Sequence, residues 1–161
     1  MASLSYCLVV TSDRVYRGEK EDKVTPLVKE LLESLGRRLA SSTIVPNRGY
    51  EILEAVREAA RTCRVILVTG GTGPSPRDVS VEVVGRIAWK RLPGLGEEFR
   101  RRSLDSAGPR ALVSAAEAFI VPPGALVFVS PGSPDAVRKA IELLVEVDEH
   151  VVRELEGRGH A

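Results

Sequence analysis

A chain of 161 residues falls within the ~100–200 residues typical of one domain and buries roughly two-thirds of its unfolded surface, so neither a disulfide nor a structural metal is needed to fold it. A hydrophobic fraction of 43% beside a charged fraction of 28% excludes a disordered chain. A formal net charge of +1 argues against a general nucleic-acid or membrane-surface binder, although a local basic patch remains open.

The first run, Tyr6 to Thr11, is continuously apolar, as expected of a strand buried on both faces of a parallel sheet. A polar loop of about a dozen residues follows, with Ser12, Asp13, Arg14, Gly18, Asp22 and Lys23. Thr25 as N-cap and Pro26 at the first helical position open a helix, whose apolar residues Val24, Leu27, Val28, Leu31, Leu32 and Leu35 share one face until Gly36. Leu39 to Val45 reads as a weaker strand ended by Pro46. Ile52, Leu53, Val56, Ala59 and Ala60 mark a second helix, and Val65 to Val68 a third strand. Beyond a glycine loop, Val79, Val83, Val84, Ile87 and Ala88 line a third helix. Pro93 turns the chain into a short helix ending near Leu104. Ala118–Val121 and Leu126–Val129 flank the turn Pro122-Pro123-Gly124 as a hairpin at a sheet edge. Ser133 and Pro134 then cap a long amphipathic helix to about Leu155.

Alternating strands and helices predict an α/β fold, with a mostly parallel sheet covered by helices on both faces. No linker or repeat divides residues 1–161, so one domain is expected. No apolar run approaches the ~18 residues of a membrane span, and the N-terminus lacks a secretory pattern. A cytoplasmic protein is expected. Cys7 and Cys63 sit in apolar surroundings without CxxC spacing and read as buried, inert thiols of a reducing compartment rather than a bridge or metal pair.

Ligands of open α/β sheets settle beyond the carboxyl ends of the strands. Three polar loops leave such ends: Thr11 to Arg14, Gly70 to Asp78, and Ser130 to Asp135. The later two run into helix N-termini, where free N–H groups favour phosphate. A glycine loop by itself also serves merely to turn a chain, and Ser133-Pro134 alone is a plain cap. Neither GxxxxGK[ST] nor an early GxGxxG is present, which disfavours a Walker-type site and a dinucleotide dehydrogenase. His150 and His160 lie at the C-terminal end, on what reads as a solvated helix end, so an acyl mechanism lacks its base. What remains suits phosphoryl or nucleotidyl transfer, in which the substrate supplies the nucleophile while protein and metal supply charge. Asp78, with Asp13 or Asp22, offers oxygen ligands to a divalent ion. An N-cap role for Asp78 and surface salt bridges for the other two stand as alternatives.

The stretch Gly70-Gly71-Thr72-Gly73-Pro74-Ser75-Pro76-Arg77-Asp78-Val79, then Pro93-Gly94-Leu95-Gly96-Glu97, Ser103 and Pro131-Gly132-Ser133-Pro134, resembles the MoaB/Mog family of molybdenum cofactor biosynthesis proteins. Ser12-Asp13-Arg14 with Asp22-Lys23 fits the same family, so the likeness runs from Tyr6 to the last helix. It implies a three-layer α/β/α fold, assembly as a trimer or a hexamer, and transfer of AMP from ATP, with Mg²⁺, to the terminal phosphate of molybdopterin. A downstream metal insertase is a further implied partner. By the same resemblance Gly70, Gly71, Thr72, Gly73 and Ser75 cradle nucleotide phosphates, with Arg77, Arg14 and Lys23 as cations on the relevant loops. Asp78 is the catalytic carboxylate acting through the metal. Pro131, Gly132, Ser133 and Pro134 hold pterin and nucleotide, and Glu97 lines the site with Leu95 in place of Phe. One position departs: many members carry Pro-Asp after the second strand, with that Asp catalytic, where this chain has Pro46-Asn47. Asn47 keeps an oxygen but brings no charge, so a non-catalytic molybdopterin carrier is the alternative to an adenylyltransferase, and a simple turn after Pro46 a third reading of that residue.

Overall fold

A computed structural model describes residues 4–158; His160 lies outside them. Six strands form one sheet in the order β2-β1-β3-β6-β5-β4. β1 (Ser5–Thr11), β2 (Arg38–Val45), β3 (Val65–Thr69) and β6 (Ala125–Ser130) run parallel, and β5 (Glu117–Val121) and β4 (Lys90–Arg91) complete an antiparallel edge. The helices are α1 (Asp13–Tyr16), α2 (Val24–Ser34), α3 (Gly49–Ala60), α4 (Ser80–Ile87), α5 (Pro93–Ala107) and α6 (Pro134–Leu155), with a 3₁₀ turn over Gly108–Val113. The expected α/β/α layering with a short antiparallel edge is present.

Side chains alternate across a strand, and the buried ones divide accordingly. Tyr6, Leu8, Val10, Val65, Leu67, Leu126 and Phe128 pack with α2, α5 and α6; Cys7, Val9, Ile66, Val68, Val127 and Val129 pack with α3 and α4. Both faces are therefore dry over β1, β3 and β6, which is why these strands are continuous apolar runs. β2 is an edge strand, and most of Arg38–Thr43 is exposed, which explains its weaker pattern.

One buried polar cluster ties three elements across the first core. Asp148 on α6 is fully buried, accepts from the Tyr6 hydroxyl at 2.6 Å, and takes a two-pronged contact from Arg37 at 2.8 and 2.9 Å. Burial, then the hydrogen bond to Asp148, pushes the Tyr6 phenol far above its ordinary range.

The structure corrects several sequence expectations. Cys7 and Cys63 are not free thiols but a disulfide, with Cα atoms 5.9 Å apart. The pairing of β1 beside β3, which sets Cys7 opposite Ile66, brings together cysteines 56 residues apart, and no local spacing reveals that. α2 begins at Val24 rather than after Thr25, because Asp22 accepts from the N–H groups of Val24 and Thr25 and from the Thr25 hydroxyl. Asp22 is thereby the capping side chain. The loop after β1 contains the short α1, and α5 continues past Leu104 to Ala107. Among the described residues no helix is long and apolar enough to cross a membrane.

Asp148→Ala strips the Tyr6 hydroxyl of its acceptor and leaves the largely buried Arg37 only the longer carboxylate contact to Glu149 at 3.7 Å, so urea denaturation should show a loss of about 3 kcal/mol, the lower end for a broken buried pair. Reducing the disulfide frees a loop of 56 residues. Chain entropy then predicts about 4 kcal/mol lower unfolding stability in dithiothreitol than without it, measured by the same titration.

Candidate functional site

The register aligns the carboxyl ends of the four parallel strands. Thr11 pairs with Val45, Val10 with Thr69, and Thr69 with Ser130. The ladder runs one step further, with Ser12 N–H donating to Val45 O at 3.0 Å and Gly70 N–H to Ser130 O at 2.8 Å. The chains leaving these ends must therefore crowd together. Gly70 has φ +101°, and a Cβ there would sit 2.5 Å from the Thr11 carbonyl oxygen; at Gly71 (φ +77°) a Cβ would overlap the Ser80 hydroxyl. Both positions need glycine, for conformation and for close approach.

Two cavities open on this rim. The first, ≈ 580 Å³, is bordered by Gly70–Gly73 and Asp78 on one side and by Gly132, Ser133 and Asp135 on the other, with Phe99, Ala111 and Val113 as an apolar wall. The second, ≈ 460 Å³, lies between Ser12, Thr69, Lys20, Lys23 and Ser133. Gly132 and Ser133 border both, so the N-terminus of α6 stands between them. Ser133 caps that helix, accepting from Ala136 N–H at 3.3 Å, as its position before Pro134 predicts. Thr69 lines the second cavity, and its buried hydroxyl has no partner among the described residues. A buried polar group without a partner is uncommon and is explained when a ligand or water supplies the bond.

Asp78 is half-buried. Its carboxylate folds back over the turn, accepting from Ser75 N–H at 3.2 Å, while its own N–H donates to Ser75 O at 2.9 Å. Arg77 N–H is held by the Ser75 hydroxyl at 3.2 Å. Asn47, at the end of β2, meets all of this: its amide donates to Arg77 O at 2.5 Å, its Oδ1 accepts from the Thr11 hydroxyl at 3.3 Å, and its backbone N–H donates to Asp13 at 2.8 Å.

Gly70, Gly71, Thr72, Gly73, Asp78, Ser103, Pro131, Gly132 and Ser133 line the first cavity; Ser12, Pro134 and Lys23 line the second. Ser75 borders a third hollow on the outer side of the loop. The side chains of Arg14, Arg77 and Glu97 are exposed and line none of these spaces, and Asp13 serves the Asn47 backbone instead. Sequence reasoning overlooked Lys20 and Arg110, and named Asp135 only as the end of its loop. Arg110 lines the first cavity from the 3₁₀ turn and has no carboxylate partner among the described residues; the preceding Gly108-Pro109 signals an irregular segment but not its direction. Asp135, bound by Lys139 and then by Ser106, is held below the ordinary carboxylate range. Among the described residues no group of three His, Cys, Asp or Glu side chains could hold a metal ion.

The sequence matches the profile of a probable molybdopterin binding domain over residues 7–150. A molybdopterin adenylyltransferase of Pyrococcus furiosus is 32% identical, covering 94% of this chain and 90% of that protein. Molybdenum cofactor biosynthesis protein B of Bacillus subtilis is 34% identical over 92% of this chain and 89% of its own length. The crystal structure of the tungsten cofactor synthesizing protein MoaB from Pyrococcus furiosus superposes with a TM-score of 0.87 at 30% identity, covering 95% of this chain and 97% of that one. The chain belongs to the MoaB/Mog family of molybdenum cofactor biosynthesis proteins.

Gly70→Ala should lower unfolding stability by about 1–3 kcal/mol, the cost of an L-residue held in that backbone region, and should displace the Thr11 carbonyl. Denaturant titration reads the first effect, and NMR chemical-shift changes at the Ser12 amide, which shares the Thr11 peptide unit, read the second.

Proposed function

We propose that this member of the MoaB/Mog family transfers AMP from ATP to the terminal phosphate of molybdopterin. The observation that carries this reading is the pair of cavities meeting at the N-terminus of α6. Two phosphate-bearing substrates bound there would bring their phosphates to one place, at the positive end of the α6 dipole. The apolar wall of Phe99, Ala111 and Val113 suits a flat base, and Gly70–Gly73 suits the nucleotide phosphates beside it. The second cavity, with Lys20, Lys23 and the unpaired Thr69 hydroxyl, suits the pterin and its phosphate.

In the reaction a terminal phosphate oxygen of the pterin forms a bond to the α-phosphorus of ATP. The bond from that phosphorus to the bridging oxygen breaks, and pyrophosphate departs with its electron pair. No protein nucleophile is required, so the residues act by orientation and charge. Arg110 supplies a cation to the first cavity, and Lys20 and Lys23 supply two to the second. Asp78 is the carboxylate at the rim. A single carboxylate is compatible with Mg²⁺, which commonly binds one or two carboxylates together with substrate phosphates and water; held there, the ion would offset phosphate charge. The exposed side chains of Tyr50, Trp89, Leu112 and Val113 support assembly into the trimer or hexamer that the family resemblance implies.

A second reading, a molybdopterin carrier without turnover, is favoured by one residue of this chain: Pro46 is followed by Asn47, an amide, where the family resemblance implies a carboxylate. Incubation of the purified protein with ATP, Mg²⁺ and molybdopterin separates the two. The expected result is adenylylated pterin and pyrophosphate, with no ATP consumed when pterin is omitted; tight pterin binding without product identifies the carrier. Asp78→Asn should lower kcat by about 10²–10³, the scale of losing one electrostatic contact in a transition state. Light scattering at micromolar concentration should report a trimer or hexamer, and a monomer would reject the assembly.

A further inference from the structure

The residues Pro93-Gly94-Leu95-Gly96-Glu97 line neither cavity of the rim, yet they open α5, and α5 reaches the glycine loop through a relay of hydrogen bonds. Gly96 is buried, and a Cβ there would sit 2.6 Å from the Ala116 carbonyl oxygen and 2.8 Å from a Glu117 carboxylate oxygen. The helix therefore lies close against the backbone at the start of β5. One turn further on, the half-buried Arg100 spends its guanidinium on main-chain carbonyls: Nη1 donates to Ala116 O at 2.6 Å and to Ser114 O at 3.4 Å. Between those two carbonyls the chain fastens the glycine loop. Ala115 N–H donates to Thr72 O at 2.8 Å, and the Ser114 hydroxyl donates to Thr72 Oγ1 at 3.3 Å while accepting from Ala116 N–H at 3.2 Å. Thr72 is buried, so its polar groups depend on these partners rather than on bulk water. The same segment continues the 3₁₀ turn that carries Ala111 and Val113 of the apolar wall.

We infer that Arg100 is a positioning residue for the first cavity. By gripping the carbonyls of Ser114 and Ala116 it sets the segment 114–116, and through that segment both the glycine loop at Thr72 and the apolar wall. A hydrogen bond from a charged donor is stronger than a neutral one, which suits a contact that has to hold an irregular stretch in place. Arg100 lines neither cavity, so it acts on a ligand only through these groups. Gly96 belongs to the same device, because a side chain there would push the Ala116 carbonyl away from the helix. None of residues 108–116 borders the second cavity, so the influence of Arg100 is confined to the first.

The ligand part of this inference rests on the reading that ATP occupies the first cavity and the pterin the second; the structural part does not, and two measurements keep them apart. In NMR spectra of Arg100→Ala the Ala115 amide proton should move upfield, the direction of a lengthened hydrogen bond, and the amide of Gly73, which shares the Thr72 peptide unit, should shift with it. A loss of global stability alone moves no native-state resonance. Calorimetry should show Kd for ATP raised about tenfold, the scale of one lost hydrogen bond from a charged group, with Kd for molybdopterin changed less than about twofold. Arg100→Lys, which keeps a charged donor on a long stem, should recover most of the ATP affinity. Gly96→Ala, which disturbs the Ala116 carbonyl from the other side, should reproduce both effects and serves if Arg100→Ala fails to fold. Resonances of Ala115 and Gly73 that do not move, or an ATP affinity left unchanged, overturn the inference. A natural chain that binds no ATP while both resonances shift in the variants upholds the positioning and removes only the adenylyl-transfer reading.

Discussion

The in-register ending of four parallel strands is the constraint from which the rest of this molecule follows. Because Thr11 and Val45 end within one residue of the row formed by Val10, Thr69 and Ser130, every connection leaving these strands competes for the same small volume. Glycine at 70 and 71 is the steric answer to that competition, and the polar side chains of Thr11, Asp13 and Asn47 are its hydrogen-bonding answer. The row is held by core packing on both faces, so the rim is as rigid as the sheet beneath it.

Charge is distributed over the rim in a way that complements the backbone. The first cavity has one guanidinium, Arg110, opposite two carboxylates, Asp78 and Asp135. Asp135 is already engaged by Lys139 and Ser106, so its charge is largely spent within the protein. Among the described residues the Asp78 carboxylate has only the Ser75 N–H as hydrogen-bond partner, which leaves its remaining lone pairs available. The second cavity is the more cationic, with Lys20 and Lys23 against Glu21 and Asp22, and the Asp22 oxygens are committed to the start of α2.

Legibility in the sequence followed the range of the interaction. β1, β3 and β6 stand out because both of their faces are covered, and Ser133-Pro134 announces α6 through contacts within one turn. The glycine loop was readable because glycine itself marks a backbone that other residues do not adopt, although what crowds Gly70 is Thr11, far off in the sequence. Three features were hidden. The disulfide depends on which strand lies beside β1. The start of α2 turns on whether Asp22 or Thr25 caps it, two side chains of similar preference three residues apart. The contact of the Asn47 amide with the Arg77 carbonyl spans 30 residues of sequence. Arg77 and Glu97 show the reverse error, for residues within a recognised motif need not point into the cavity the motif borders.

The bond between Cys7 and Cys63 closes a ring of chain containing α1, α2, β2 and α3. The exposed stretch from Arg17 to Glu21 lies inside that ring. A protease that nicks it severs the backbone without releasing a fragment: the two pieces migrate together on a gel until a thiol is added. Damage to this side of the molecule is thus concealed from a denaturing gel run without reductant.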